Sequence, residues 1–529
     1  MASGNGEKSH DLSDAEIKKL DRRIDFTLLP WLSFLYLLSF LDRTAIGNAR
    51  LFGMTPSLAL GTGPKYNIAV SVFYFSYAFF EVPSNIMLKR LSPPVWFAIA
   101  CALVGICMMS QGLVESYGGL LATRFLLGVF EAALFPGVNY LLSGWYVRSK
   151  FGLRAAIFFA AASASGAFGG LLSTGLAQIR GGTYDGPNDG WRWIFIVIGL
   201  ITIVSGILSW WLAPNFPDKA KWLSERERAF VISRLQAGQQ NSAAGEGFAW
   251  RNVWKGVLDH KTWLAMLAYM GCDGPLYAFS VFTPTIIKSL GTWTTVQSNL
   301  LSVPIYIVAG ITTIVIGFVA DKKGHRALIN LCLYPLGILG YIILLAVDPR
   351  KSPGACYFAI YLAAMGIYPM IPNSVALFGS HIEGAYKRSV VLAMFIGFGN
   401  LNGAATSQVY YSKSAPRYFV GHSILIVYLA IGWLATLTYL WSTKRENAAR
   451  ERGSRNETIL DHLPHEEAVA EAQRIREAEI AELKSKGGLG NRWLALKKSV
   501  HSTPGGTYAS VEEAMRLKGD DYSAHRYSY

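Results

Sequence analysis

The chain is predicted to be an all-α membrane protein, with twelve transmembrane helices in two six-helix bundles. Three observations predict this. About twelve runs of roughly twenty apolar residues recur along the 529 residues, and a hydrocarbon core about 30 Å thick takes about 20 helical residues to cross. Hydrophobic residues make up 52% and charged residues only 16%, whereas soluble domains carry about 25% charged residues. A long polar stretch then divides the apolar runs six and six.

Residues 1–24 form a polar segment, with Lys18, Lys19, Arg22 and Arg23 just ahead of the first span, and no cleavable signal is expected there. The first six spans fall near 26–43, 68–87, 95–112, 119–142, 155–178 and 191–213, giving an N-terminal bundle over 25–213. A polar linker covers 214–261. Spans near 262–287, 297–320, 327–347, 355–379, 389–411 and 421–442 make a C-terminal bundle over 262–442. The tail, 443–529, is hydrophilic, and its charged run near 464–486 is expected to be a solvated helix.

Orientation follows from Lys and Arg in the short loops. The loops near 88–94, 146–154, 321–326 and 380–388 hold ten, including Lys89, Arg90, Arg148, Lys150, Arg154, Lys322, Lys323, Arg326, Lys387 and Arg388. The alternate loops are longer and sparser in them. Both ends and the linker are therefore expected to be cytoplasmic. Glycines in the fifth span (Gly166, Gly169, Gly170) and the eleventh (Gly397, Gly399, Gly403) offer faces for close helix approach.

A net charge of +14 does not indicate nucleic acid, because the basic residues lie between spans and do not form one basic face with interleaved aromatics. The five cysteines have no C-x-x-C pair and no metal-ligand spacing, so neither disulfide nor metal site is expected.

Charges inside the apolar runs carry the functional signal, since ionisable groups deep in a bilayer are costly and usually line a path. Asp42 and Arg43 sit in the first span, Arg124 and Glu131 in the fourth. Seven residues make nearly two helical turns, so Arg124 and Glu131 share a face about 10 Å apart along the axis. Asp42 and Arg43 are expected at the outer depth of Arg124, with Glu131 near mid-membrane. The structural alternative is that Asp42–Arg43 and Arg124–Glu131 are salt bridges that only hold the bundle together.

Between spans eight and nine the chain reads Gly317-Phe-Val-Ala-Asp321-Lys322-Lys323-Gly324-His-Arg326. This resembles the loop signature of the major facilitator superfamily, and its Asp, Gly and basic residues suit a gate. The equivalent loop of the first half, Glu81 through Pro94, departs from the pattern by lacking the acidic residue. Together with Leu41-Asp42-Arg43-Thr44, Arg124 through Gly137, Trp191-Arg192-Trp193 and Phe216-Pro217-Asp218, that departure is similar to the anion:cation symporter branch, and within it to the fungal allantoate permease group. The resemblance spans roughly residues 20 to 445. It implies the major facilitator fold and a proton-coupled importer of small organic anions such as allantoate, nicotinate, pantothenate or biotin, acting at the plasma membrane. Related sugar-acid symporters carry an Asp-Arg pair in span one and an Arg…Glu pair in span four, matched here by Asp42, Arg43, Arg124 and Glu131.

On that reading Arg124, with Arg43, binds the anion, because a guanidinium is a permanently charged fork of donors. Asp42 and Glu131 take up the proton. Tyr277 and Asn373 are candidate substrate contacts, as are Asp273 and Tyr368, on spans bearing Pro275, Pro369 and Pro372. Glu81, Gly317, Asp321, Lys322, Gly324 and Arg326 are candidate gating residues, with Glu81 read either as the partner of a loop cation or as a snorkelling carboxylate. Asn400 and Asn402 read as interhelical hydrogen-bond partners. No cofactor is expected beyond the coupling proton, and the bilayer, an organic anion and a functional monomer complete the expectation. Two alternatives stay open: proton-antiport efflux of an organic acid or secondary metabolite, and a non-transporting nutrient sensor. No enzyme motif is present in the sequence.

Overall fold

The computed structural model describes residues 13–523 apart from 62–63, 180–188, 238–249, 292, 383–384, 411–413, 461, 502, 504 and 519–521. Residues 1–12 and 524–529, at the outer ends of the expected N-terminal segment and tail, lie outside the described residues. So do the side chains of Lys89, Arg90, Arg148 and Arg388, which entered the loop count.

The first span is Asp14–Ala49, the second Lys65–Arg90, the third Pro93–Gly112, and the fourth Tyr117–Glu131 continued by Leu134–Ser143. The fifth is Arg148–Leu176 and the sixth Gly190–Leu212. In the second half the spans are His260–Leu290, Thr295–Lys323, Arg326–Ala346, Pro353–Ser380, Ala385–Thr406 and Phe419–Glu451. Among the described residues, nine of these are long and apolar enough to cross a membrane by composition. The second, seventh and eleventh complete the set; they carry Glu81, Asp273 and Asn400 and pack together, second on eleventh and eleventh on seventh.

Local chemistry sets the ends. Ser13 and Glu16 form a reciprocal capping box, so the first helix begins well before the predicted residue 26. It also runs on past Arg43, which therefore sits inside the span and not at its end. In the fourth span Pro136 has no amide hydrogen to give the carbonyl four residues back, and the helix breaks directly after Glu131.

Within the first half, the third and sixth spans meet backbone to backbone. A Cβ on Gly199 would lie 2.5 Å from the Met109 amide nitrogen, and one on Gly105 would lie 2.5 Å from that of Ile203. Small residues allow this contact, which is how helices associate where no water drives them together. The two halves meet along three seams: fifth span on eighth and tenth, second on eleventh, first on seventh. Of the predicted close-packing glycines, Gly166, Gly170, Gly397 and Gly403 lie on these seams, whereas Gly169 faces the first span and Gly399 the seventh, each within its own half. Gly166 faces the Tyr306 ring, and Gly403 faces Tyr74 and Tyr277, at Cβ distances of 2.6 to 2.8 Å.

Outside the spans, linker helix Glu225–Ala237 is tied to the first half where Arg234 and Lys150 both reach Asp21. The tail's charged run is helical, as expected, over His465–Ser485, with only Ala468 and Ala472 buried, and it packs with other parts of the tail. Ala468 and Ala472 are buried with Leu460 and Ala509, helix Leu489–Ser499 packs beside it, and Thr458–Ile459 pairs in parallel with Thr507–Tyr508.

Gly199→Val is expected to destabilise the protein by about 1–3 kcal/mol, the usual cost of overpacking. The check is thermal unfolding in detergent, and an unchanged midpoint would contradict the close approach of spans three and six.

Candidate substrate and proton site

Glu131 ends the helix that breaks beneath it, so its carboxyl projects from a discontinuity toward the first span. There Ser39 and Arg43, one turn apart on one face, both reach it. The Arg43 Nη2 donates to Glu131 Oε1 at 2.9 Å, its Nε at 3.2 Å, and the Ser39 hydroxyl at 2.7 Å. Glu131 Oε2 has no hydrogen-bond partner. The rings of Phe40, Phe73, Tyr77 and Tyr277 surround the Arg43 guanidinium, each centroid 5.1–5.3 Å from Cζ. Tyr277 belongs to the second half, so this cage joins the halves at mid-span.

The pairings offered as the structural alternative do not form. Neither Asp42–Arg43 nor Arg124–Glu131 forms a salt bridge; the buried pair is Arg43–Glu131, across spans one and four. The depth expectation changes with it. Because Arg43 donates directly to Glu131, it lies level with that residue, two turns from Arg124. Adjacent residues point about 100° apart on a helix, and Asp42 accordingly faces the sixth span. It accepts from Thr202 Oγ1 at 3.4 Å, with Oδ1 unpartnered. Arg124 is 1% exposed. Its guanidinium lies over the Phe195 ring, and its Nε and Nη2 have no acceptor.

A second line of polar groups crosses the seam of spans two, seven and eleven. Tyr277 Oη donates to Asn400 Oδ1 at 2.5 Å, and Asn400 Nδ2 donates to Glu81 Oε2 at 3.3 Å. Glu81 is fully buried, so it neither meets a loop cation nor snorkels, against both expectations. Its position, nearly three turns inside the second helix, puts it beyond the reach of the loop. Asp273 is buried beside Gly399, and its Oδ2 is unpartnered.

The C-terminal end of the eighth span makes a separate knot. Asp321 Oδ2 accepts from the Leu153 amide of the fifth span at 2.8 Å, and Asp321 Oδ1 pairs with Arg326. Arg326 lies against Gly152, where a Cβ would overlap its guanidinium. Gly317 abuts Ala156, and Gly324 takes the left-handed conformation (φ 72°) that closes the helix. Lys322 is exposed and stands outside the knot.

Asn373 is corrected too: it belongs to this knot and not to the central cluster. It accepts from Arg326 Nη1 at 3.1 Å and donates to the Arg326 carbonyl at 2.9 Å and to Asn330 Oδ1 at 2.7 Å. Both of its N–H donors and its carbonyl oxygen are thereby engaged. Tyr368 lies higher, among Phe279 and Tyr306. At the opposite end the halves also touch, where Ser71 meets Ser407 at 2.7 Å and Asn299 donates to Thr174 at 3.3 Å.

The structure thus brings together Arg43, Glu131, Tyr277 and Glu81 at the centre, with Asp42 and Arg124 flanking, and Gly317, Asp321, Gly324, Arg326 and Asn373 at one end. Ser39, Thr202 and Gly152 escaped the sequence reading. For Ser39 a signal existed, its four-residue offset from Arg43; for Thr202 and Gly152 only tertiary contact reveals the role. Asn400 is an interhelical partner, as expected, and it joins the Glu81 carboxyl to the Tyr277 hydroxyl.

Buried ionisable groups at the seam of two six-helix bundles, bracketed by contacts at both ends, define a membrane transporter. The Major Facilitator Superfamily model matches residues 32–407, and the chain belongs to that family. It is 35% identical over 453 residues to the MFS-type transporter cnsO of Penicillium expansum, covering 83% of this chain and 86% of that one. It is 30% identical over 460 residues to the high-affinity nicotinic acid transporter of Saccharomyces cerevisiae, covering 86% and 83%. Among solved structures it resembles the proton:xylose symporter XylE, with a TM-score of 0.62 at 16% identity, covering 79% of this chain and 95% of that one. A multi-pass integral membrane protein follows.

Truncating one member of a buried ion pair strands its partner at a cost of about 3–5 kcal/mol, while replacing both with apolar groups is often neutral. Glu131→Leu and Arg43→Met are each expected to lower the thermal midpoint in detergent strongly. The double variant should regain most of the loss, and additive losses would show that the pair is not coupled.

Proposed function

We propose that this protein is a proton-coupled importer of a small organic anion, belonging with the allantoate permease group and acting at the plasma membrane with both termini cytoplasmic. The observation that carries this reading is Arg124: a guanidinium inside a membrane bundle, 1% exposed, with two nitrogens lacking any acceptor. Buried polar groups left unsatisfied are expensive, charged ones most of all. A carboxylate arriving from solution supplies both the acceptor atoms and the compensating charge, in the bidentate geometry that arginine favours. The relative named for nicotinic acid agrees with that ligand class.

Proton coupling is assigned to Glu131, with Asp42 as a second acceptor. Protonating Glu131 neutralises the partner of Arg43, and Arg43 becomes available to share the anion with Arg124. Anion and proton then cross together with no net charge added to the cluster. Tyr277 and Asn400 line the path from the second half, and the Asp321–Arg326–Asn373 knot serves as the inner gate. The coupling ion is the only accessory species, and the unit is a monomer.

The test is uptake of labelled nicotinate and other small carboxylates into proteoliposomes, with and without an inward proton gradient. Arg124→Gln is expected to weaken transport by about 10–100-fold, equivalent to losing a charged hydrogen bond of roughly 1.5–3 kcal/mol. Arg124→Lys should recover only part of it. Unaltered uptake in Arg124→Gln would remove the anion from this site.

Glu131→Gln should abolish uphill, pH-driven accumulation yet leave exchange of substrate across the membrane. If exchange is lost while binding and expression persist, Glu131 is not the proton carrier.

A further inference from the structure

Helix Leu489–Ser499 in the tail carries three cations, Arg492, Lys497 and Lys498, and no acidic residue. Its packing uses little of its surface: Ala495 is buried, and Lys498 pairs with Glu479 of the neighbouring helix at 2.6 Å. The opposite side is apolar and open. Leu489 is 86% exposed, Trp493 48% and Leu496 40%. Their spacing of four and three residues puts them on one stripe. Arg492 and Lys497 flank that stripe, the Lys497 Nζ lying 6.0 Å from the Trp493 ring centroid.

The position of this helix decides what the stripe meets. The twelfth span continues unbroken to Glu451, so the tail begins where the membrane helix ends. At its far side the tail is bound again: Lys255 donates to the Leu517 carbonyl. Lys255 lies on helix Trp250–Leu258, separated from the seventh span only by Asp259. His501, two residues beyond helix Leu489–Ser499, is buried and sits among Arg476, Arg251, Lys255 and Lys518; burial first and these cations next hold its pKa down to about 3. The tail unit is therefore clamped to membrane-proximal helices on two sides. Trp254, on the same short helix as Lys255, is itself 49% exposed, as is common for tryptophan at a bilayer interface.

We propose that helix Leu489–Ser499 is a membrane-surface anchor, with Leu489, Trp493 and Leu496 set into the headgroup boundary and Arg492 and Lys497 holding anionic lipid phosphates. The termini being cytoplasmic, as proposed above, the surface it meets is the leaflet richer in anionic lipid. Apolar burial and attraction to anionic headgroups act together in such helices. The covalent tether to the twelfth span keeps the bilayer at high effective concentration, so a stripe of three apolar residues suffices. The inference is independent of what the central site transports.

The test uses full-length protein in nanodiscs of phosphatidylcholine alone or mixed with phosphatidylserine. In a Cys332→Ala background, where the remaining cysteines are buried, a nitroxide is placed at Leu489→Cys or, as a control, at the exposed Glu477→Cys. The Leu489 label is expected to collide more with oxygen and several-fold less with a nickel chelate in the mixed discs. The Glu477 label should stay open to nickel in both. Arg492→Gln with Lys497→Gln should return the Leu489 label to water. In the unsubstituted chain, trypsin cleavage after Arg492 should be slower in the mixed discs, a readout that needs no substitution. Equal nickel access in both lipids overturns the proposal. Shielding already present in detergent, which would place protein over the stripe, also overturns it, as does shielding confined to native membranes that hold other proteins.

Discussion

A guanidinium and a carboxylate facing each other far from water, Arg43 and Glu131, constrain everything packed around them. At low effective dielectric their attraction is large, but so is the loss of hydration for each. The structure answers the second term with local help: the Ser39 hydroxyl on the same carboxyl oxygen and four aromatic faces around the guanidinium. Ring faces present negative charge to a cation, so the cage recovers part of the lost hydration with apolar material. These supports come from spans one, two and seven. The pair therefore ties the seam between the halves to the break in span four.

The contacts at the two ends obey a different logic. Asp321 does not meet a cation of the other half but a backbone amide, that of Leu153, while its own half supplies Arg326 and Asn373 to hold the carboxyl in place. The bond that crosses the seam is charge-assisted, because its acceptor is a carboxylate, but the ion pair itself stays within the second half. At the opposite end the crossing bonds are neutral, Ser71 with Ser407 and Asn299 with Thr174. Breaking the Asp321 contact leaves its carboxyl still paired with Arg326. A neutral bond is worth about 1 kcal/mol net and one to a charged group about 1.5–3 kcal/mol, a scale on which two bundles can separate at one end and close at the other.

The all-helical membrane fold was legible because it rests on runs of twenty residues, where composition outweighs local detail. The loop at Gly317 to Arg326 was legible for a related reason: its residues act near one another in the chain, and Asp321, Gly324 and Arg326 lie where their spacing places them. The central pairings were not. Arg124 and Glu131 share a helix face, and seven-residue spacing suggests a relation, but Glu131 projects from a break and is reached first by Arg43 from another span. The choice between two guanidiniums depends on the rotation of span one against span four, which the packing of twelve helices sets. Glu81 failed for the same reason. Its distance from the loop was visible in the chain, whereas Asn400 is over three hundred residues away.

The hydrogen bonds of Glu131 bear directly on how a proton can act there. Its Oε1 accepts all three donors, two from Arg43 and one from Ser39, while Oε2 accepts none. A proton arriving at Oε2 need not displace Arg43 first. It cancels the carboxylate charge while the geometry is intact, and what remains is a guanidinium bonded to a neutral acid, a weaker bond than the charge-assisted one it replaces. Arg43 is then under-compensated in a medium that penalises bare charge, two helical turns from Arg124, which lacks an anion already. Under the proposed coupling, protonation at one end of the cluster thus raises its demand for negative charge at the other, and a carboxylate substrate meets that demand. On that proposal, the two unlike oxygens of Glu131 allow the proton and the anion to stabilise each other without meeting at one atom.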